Sequence, residues 1–153
     1  MSKLQPGDVA PGIELPTDTS EVFRLSDHAD HSVLLYFYPQ ADTPACTDQN
    51  LGFTAQADAF AAHGVVLVGI SPDTPETLAK FRQKHDLSPI LVADPDHVAM
   101  EAYGVWGEKK NYGRTYVGLI RSSFLVGPGG KIERVWFNTR AKGHVDRVLK
   151  ELG

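Results

Sequence analysis

The run Ser32-Val33-Leu34-Leu35-Tyr36-Phe37-Tyr38-Pro39-Gln40-Ala41-Asp42-Thr43-Pro44-Ala45-Cys46 changes character halfway along. Its first seven residues are β-branched, aliphatic and aromatic without clean alternation, which suits a strand covered on both faces. Pro39 ends that strand, and Gln40 to Thr43 form a short loop. Thr43 then suits a helix N-cap and Pro44 the first helical position. Phe53, Ala57, Phe60 and Ala61 follow at helical spacing and mark one buried face, which Gly64 closes.

The same grammar continues outward. Val65 to Ile70 reads as a second buried strand. Thr74 and Pro75 open a second helix that runs to about His85. Ile90 to Val92 is a short strand, Asp94-Pro95-Asp96 a turn, and His97 to Tyr103 a short helix. Gly104 to Val117 reads as irregular. Ser123 to Val126 and Ile132 to Phe137 are strands around the tight turn Gly127-Pro128-Gly129-Gly130, so they must run antiparallel to each other. His144 to Leu152 is the last helix. The first twenty residues are rich in Pro and Gly and read as an N-terminal extension of turns and short extended pieces, with Glu21 to Leu25 another short strand. Alternating strands and helices predict an α/β domain with a mixed central sheet and helices on both faces, in a thioredoxin-like arrangement.

The chain has 153 residues, enough for one domain with its own core. No linker, low-complexity stretch or internal repeat divides it, so 1–153 is taken as a single domain. Its 42% hydrophobic and 22% charged residues are those of a globular protein. The net charge of −4 and the lack of a basic stripe argue against a nucleic-acid binder. No apolar run is long enough to cross a membrane. The N-terminus lacks the apolar core of a signal peptide, so a cytoplasmic protein is expected. Gly127 to Lys131 lacks the spacing and the hydroxyl residue of a phosphate-binding loop and is read as a hairpin turn. The six histidines show no metal-binding spacing, His28-x-x-His31 included. Tyr36 to Tyr38 is assigned to core packing. No cofactor motif and no metal site are found.

Cys46 is the single cysteine. An internal disulfide, a CxxC motif and a multi-cysteine zinc site are therefore excluded. A lone cysteine is either a small buried hydrophobe or a reactive thiol. With Thr43 as N-cap, Cys46 occupies the third helical position. There the unpaired N–H groups and the helix dipole favour a thiolate. The loop after the carboxyl end of a strand is also where open α/β sheets place ligands. The dipole is worth only ~0.3–1 kcal/mol, so a reactive Cys46 needs a cation. Arg24, Arg82, Lys109, Lys110, Arg114, Arg121 and Arg140 are the candidates. Arg121 stands out because it borders the apolar segment Val117 to Val126, and an arginine entering a core strand is usually paired.

Pro39-x-x-x-Thr43-x-x-Cys46, set between a strand and a helix, resembles the active-site motif of the peroxiredoxins. Tyr36-Phe37-Tyr38-Pro39, Asp42-Thr43-Pro44 with Thr47, and Gly69-Ile70-Ser71-Pro72-Asp73 are similar to the bacterioferritin-comigratory (PrxQ) branch. So are Tyr103 to Lys110, Arg121-Ser122-Ser123-Phe124 and Lys142-Gly143-His144. The resemblance spans nearly the whole chain. It implies a thioredoxin-like fold and a thiol peroxidase of the thioredoxin-dependent type. In it Cys46 is the peroxidatic cysteine, Thr43 and Pro39 are its motif partners and Arg121 is the active-site arginine. Many relatives in this branch carry a resolving cysteine where this chain has Leu51.

The expected reaction is attack of a Cys46 thiolate on one peroxide oxygen, leaving a sulfenic acid. Lowering a thiol pKa from ~8.5 to ~6 raises its ionised fraction at neutral pH roughly 30-fold but lowers its nucleophilicity roughly tenfold. Ionisation alone therefore does little, and stabilisation of the departing oxygen must supply most of the rate. Without a second cysteine, an external thiol must resolve the sulfenic acid: thioredoxin, glutaredoxin or a small thiol. The enzyme is expected to act on hydrogen peroxide and organic hydroperoxides as a monomer. The competing reading is a redox sensor or binding module without efficient turnover. Trp106, Tyr112 and Tyr116 are assigned either to a pocket wall or docking face for the thiol donor, or to cover of the sheet edge.

Overall fold

In the computed structural model, which describes residues 4–111 and 113–152, the chain folds as the α/β pattern predicts. A five-stranded sheet is built from β3 (Ser32–Phe37), β4 (Val65–Ser71), β5 (Ile90–Ala93), β8 (Ser122–Val126) and β9 (Ile132–Trp136). Its spatial order is β5-β4-β3-β8-β9. β3, β4 and β5 run parallel, whereas β8 pairs antiparallel with both β3 and β9. A separate antiparallel pair, β1 (Glu14–Pro16) and β2 (Val22–Arg24), forms the N-terminal extension. The Gly127 to Lys131 turn is the hairpin expected: Gly127 N donates to the Lys131 carbonyl at 2.8 Å, and Gly129 and Gly130 take positive φ.

β3 shows why its sequence did not alternate. Val33, Leu35 and Phe37 pack into one core layer, and Leu34 and Tyr36 into the other. The second layer is covered by α1 (Pro44–Ala55), α2 (Ala57–Ala62), α3 (Pro75–His85) and α5 (His144–Glu151), through Phe53, Phe60, Leu78, Phe81 and Val148. The first layer is covered by the N-terminal residues Ile13, Phe23 and Leu25 and by α4 (Val98–Ala102), through Met100. Helices thus lie on both faces, four against one.

Two local expectations are corrected. The helix read from Thr43 to Gly64 is interrupted at Gln56, which leaves helical geometry (φ −101, ψ 12) and separates α1 from α2. Thr54 Oγ1 donates back to the Asn50 carbonyl at 2.8 Å, a bond that bends a helix just there. The segment Gly104 to Val117 is not irregular. It holds β6 (Trp106–Asn111) and the start of β7 (Arg114–Leu119), which pair as an antiparallel hairpin. The first four residues of β7 are exposed, so no alternation announced it. The turn Asp94-Pro95-Asp96 does more than reverse the chain. The buried Asp94 carboxylate accepts from Val98 N at 2.8 Å and Met100 N at 3.0 Å and so caps α4.

Candidate active site

β3 delivers the chain to the carboxyl edge of the sheet, where Pro39 to Thr43 turn it into α1. That loop is fixed from the neighbouring strand. Ala41 N donates to Asp73 Oδ2 at 2.7 Å, and Ser71 Oγ at the end of β4 donates to the same oxygen at 2.8 Å. Asp42 takes a positive φ of 63 and accepts from Lys84 Nζ, and its other oxygen contacts His85 Nε2, each at 2.9 Å. The two partners, His85 first and Lys84 second, hold the Asp42 carboxyl below its usual range.

Thr43 is the N-cap by backbone geometry, and Pro44 is at the first helical position, as read. The capping itself is corrected. Thr43 Oγ1 does not accept from the first turn but donates to the Gln40 carbonyl at 2.9 Å. The first turn of α1 is left without a side-chain cap, and Cys46 sits in it, 1% exposed. Pro39 lies half-buried at the entry to this loop.

Arg121, just ahead of β8, reaches across the sheet to this turn. Its Nη2 donates to Cys46 Sγ at 3.2 Å, and its Nη1 donates to Gln49 Oε1 one turn further along α1. Its backbone carbonyl accepts from Thr139 N at 2.8 Å, which fixes the base of the arginine. The other cations singled out are elsewhere. Arg24 pairs with Glu14, and Arg82 with Asp18 and the carbonyls of Leu87 and Pro89. Arg114 and Arg140 are exposed. Lys109 on β6 belongs to the site's electrostatic field. Burial and then the Arg121 charge lower its pKa, while Cys46 acts in the opposite sense. The Lys110 side chain lies outside the described residues.

Sequence reasoning missed the polar residues behind the sulfur. Gln49 and Asn50 are buried in α1. Asn50 Nδ2 donates to the Cys46 carbonyl at 2.9 Å, and its Oδ1 accepts from Tyr36 Oη at 2.6 Å. Tyr36 is thus a core residue, as read, but its hydroxyl also anchors, through Asn50, the first turn of α1. Burial pushes that phenol well above its usual pKa and keeps it neutral. The ring needs Gly69 opposite, where a Cβ would lie 2.7 Å from Tyr36 Cζ. The only available signal was spacing: Gln49 and Asn50 follow Cys46 by three and four residues and share its helix face.

The aromatic trio does not form one wall. Trp106 stacks on His97, centroids 3.7 Å apart, and packs against the core, which favours the sheet-edge reading for it. Tyr116 is exposed, with Lys109 Nζ 5.8 Å from its ring centre. Tyr112 lies outside the described residues. Among the described residues no cluster of His, Cys, Asp and Glu could hold a metal ion, and no helix is long and apolar enough to cross a membrane.

Comparison with known proteins agrees with this geometry. The AhpC/TSA family model matches residues 6–135. The chain is 43% identical over 152 residues to peroxiredoxin Bcp of Escherichia coli, covering 99% of this chain and 97% of that one. It is 38% identical over 149 residues to peroxiredoxin Bcp of Bacillus subtilis, covering 97% and 95%. Among solved structures, a cysteine-to-serine mutant of Xylella fastidiosa PrxQ superposes with a TM-score of 0.91 at 29% identity, covering 99% of this chain and 97% of that one. The bacterioferritin comigratory protein of Xanthomonas campestris superposes with a TM-score of 0.88 at 31% identity, covering 98% and 95%. With a sulfur at an uncapped helix start, an arginine on it and this kinship along its whole length, the chain belongs to the AhpC/TSA family and is a peroxiredoxin of the Bcp/PrxQ type, a thiol peroxidase.

Proposed function

We propose that the protein reduces hydrogen peroxide and organic hydroperoxides by a one-cysteine cycle at Cys46. The observation that carries this reading is the Arg121 guanidinium donating to Cys46 Sγ at 3.2 Å beside a helix start that has no side-chain cap. Alkyl peroxide reduction by the Xanthomonas campestris relative supports the wider substrate range.

In the peroxide step, the Cys46 thiolate attacks the terminal oxygen of ROOH in line with the O–O bond. An S–O bond forms, the O–O bond breaks, and the departing alkoxide takes up a proton to leave as ROH. Cys46 becomes Cys46–SOH. Arg121 stands where charge moves from sulfur to the departing oxygen, and electrostatic stabilisation there counts most. Thr43 Oγ1 donates its proton to the Gln40 carbonyl, which leaves its lone pairs free to accept from the peroxide O–H. First-turn N–H groups add donors, and Pro39 shields the loop.

An external thiol closes the cycle, because the chain has one cysteine and Leu51 at the position five residues on. The thiol sulfur displaces hydroxide from Cys46–SOH, which leaves as water with the thiol's proton. A second thiol then releases Cys46–SH and a disulfide. The test is steady-state peroxide consumption with excess added thiol, for the native protein and Cys46→Ser. Sustained turnover that Cys46→Ser abolishes is expected. Oxidation of Cys46 without turnover would instead favour the redox-sensor reading.

A further inference from the structure

Arg121 is half-buried, yet among the described residues no carboxylate lies within ion-pair distance of it. Arg82 shows the ordinary solution. It gives Nε and Nη2 to the two oxygens of Asp18, whose side chain is 4% exposed, and its charge is matched on the spot. Arg121 instead gives Nη1 to an amide oxygen, Gln49 Oε1, and Nη2 to Cys46 Sγ at 3.2 Å. An arginine drawn into a fold is usually paired. Here the oxygen facing it is neutral, and the anion that balances it is left to the sulfur.

The groups around the pair do not supply that anion. Burial first and the Arg121 charge second lower the pKa of Lys109 on β6 and of His144 at the start of α5. Tyr38, just after β3, senses Cys46 and Asp73, but burial, the largest cause, keeps its phenol neutral. Asp48, beside Gln49 in the chain, is exposed, and Asp73 is taken by Ala41 N and Ser71 Oγ. Gln49 itself is 1% exposed. Arg121 has only donors to offer, so the amide must turn its oxygen to it. The buried Nε2 is then left with no hydrogen-bond partner among the described residues. Stranded buried donors destabilise a fold. A glutamate of the same length would strand no donor and would pair the arginine, so the side chain present is not the one that stability favours.

We propose that Gln49 is a positioning residue whose neutral amide holds the Arg121 guanidinium on Cys46 Sγ and leaves its positive charge to the sulfur and to the departing oxygen. The inference rests on the peroxide step proposed above and deepens it. A carboxylate at this position would hold the arginine and cancel its charge. An apolar side chain would keep the charge and lose the aim. The amide serves both ends and leaves its own N–H groups stranded.

Gln49→Glu and Gln49→Met separate the two roles. The whole reduced protein is followed by thiolate absorbance against pH, by stopped-flow oxidation with hydrogen peroxide across pH, and by urea unfolding. In Gln49→Glu the titration midpoint of Cys46 should rise by about one pH unit or more, the effect of adding a like charge nearby. The peroxide step at neutral pH should slow about tenfold or more, because the same charge stabilises the departing oxygen. Its urea midpoint should be no lower than that of the native protein. In Gln49→Met the Cys46 midpoint should stay at the native value, while the peroxide step slows roughly tenfold at every pH, the loss of one hydrogen bond to a charged group. Gln49→Glu with native titration and native rate would overturn the charge role. So would a Gln49→Glu chain that fails to fold, since Arg121 would then not be open to pairing. Equal midpoint shifts in both variants would trace the effect to lost packing and overturn it too. Gln49→Met at the native rate would overturn the positioning role. If native Cys46 is not oxidised, the peroxide step itself falls; if all three proteins are oxidised at one rate, the inference about Gln49 alone falls.

Discussion

Two helices of this protein start with the same dipeptide, Thr-Pro, and use it in opposite ways. At α3, Thr74 Oγ1 accepts from Thr77 N at 3.3 Å, and the helix start is closed by its own cap. At α1, Thr43 has the same extended backbone and the same proline after it, yet its hydroxyl turns back to the Gln40 carbonyl. The first start is purely structural. The second leaves its donors open around Cys46 and is completed from outside by Arg121. A cap satisfies a helix end but also occupies it. A site for a developing negative charge needs that end free.

The sharpest way to break the contrast is to remove what completes the open start. Arg121→Met should slow the peroxide step about 10²–10³-fold, the range for losing one preorganised donor to a developing oxyanion. Its circular dichroism should remain native. Stopped-flow oxidation of Cys46 checks this, and a near-native rate would remove Arg121 from the site.

A third helix start, that of α5, extends the comparison to pH. It too lacks a side-chain cap, and burial lowers the pKa of its first residue, His144, from 6.5 to about 4, with the Arg121 and Arg147 charges acting in the same sense. The folded protein therefore holds His144 neutral where the unfolded chain would protonate it. Stability from this source is complete above pH 6.5 and is lost as pH falls towards 4, by on the order of 3 kcal/mol. Urea unfolding of the native protein and His144→Phe across that window should show a steeper fall for the native chain. Parallel curves would assign the acid sensitivity to other groups.

Asn50 ties the open turn of α1 to the core, donating to the Cys46 carbonyl and accepting from Tyr36. Asn50→Ala strands the buried Tyr36 hydroxyl and should cost about 1–3 kcal/mol in equilibrium unfolding. It should also loosen the turn, so that Leu51→Cys forms a disulfide with Cys46 more readily in the Asn50→Ala background than alone. Equal disulfide yield in both backgrounds would show that Asn50 is no lock.

The smallest effects come from the two threonines themselves. Thr74→Ala should cost ~1 kcal/mol of stability and leave the peroxide rate unchanged. Thr43→Ala should leave stability nearly unchanged and slow the peroxide step roughly fivefold, the worth of one neutral hydrogen bond. The same penalty in both measurements for both variants would erase the distinction between the starts.

The sequence made β3, the start of α1 and the place of Cys46 legible because local signals agreed there: an apolar run, a breaking proline, a Thr-Pro start. It also pointed to Arg121, because an arginine bordering a core strand demands a partner. The break at Gln56 was hidden because the apolar spacing from Phe53 to Phe60 continues across it, while the Thr54 hydroxyl bonds back to the Asn50 carbonyl just before it, a contact that favours a bend. The β6–β7 hairpin was hidden because an exposed strand has no buried face to impose a period of two. Nothing in the local sequence marks Gln49 and Asn50 as buried. The approach of Tyr36 on β3 and of Arg121 just ahead of β8, far apart in the chain, gives them partners.

The central claim is that the open start of α1, completed by Arg121, makes Cys46 the atom that peroxide oxidises. It is tested most directly by intact-mass analysis of the reduced protein after one equivalent of hydrogen peroxide, with and without a sulfenic-acid trap. The account predicts rapid gain of one oxygen, trapped at Cys46, reversed by added thiol and nearly abolished in Arg121→Met. A thiol that stays unoxidised on that timescale, or a native protein no faster than Arg121→Met, would contradict it.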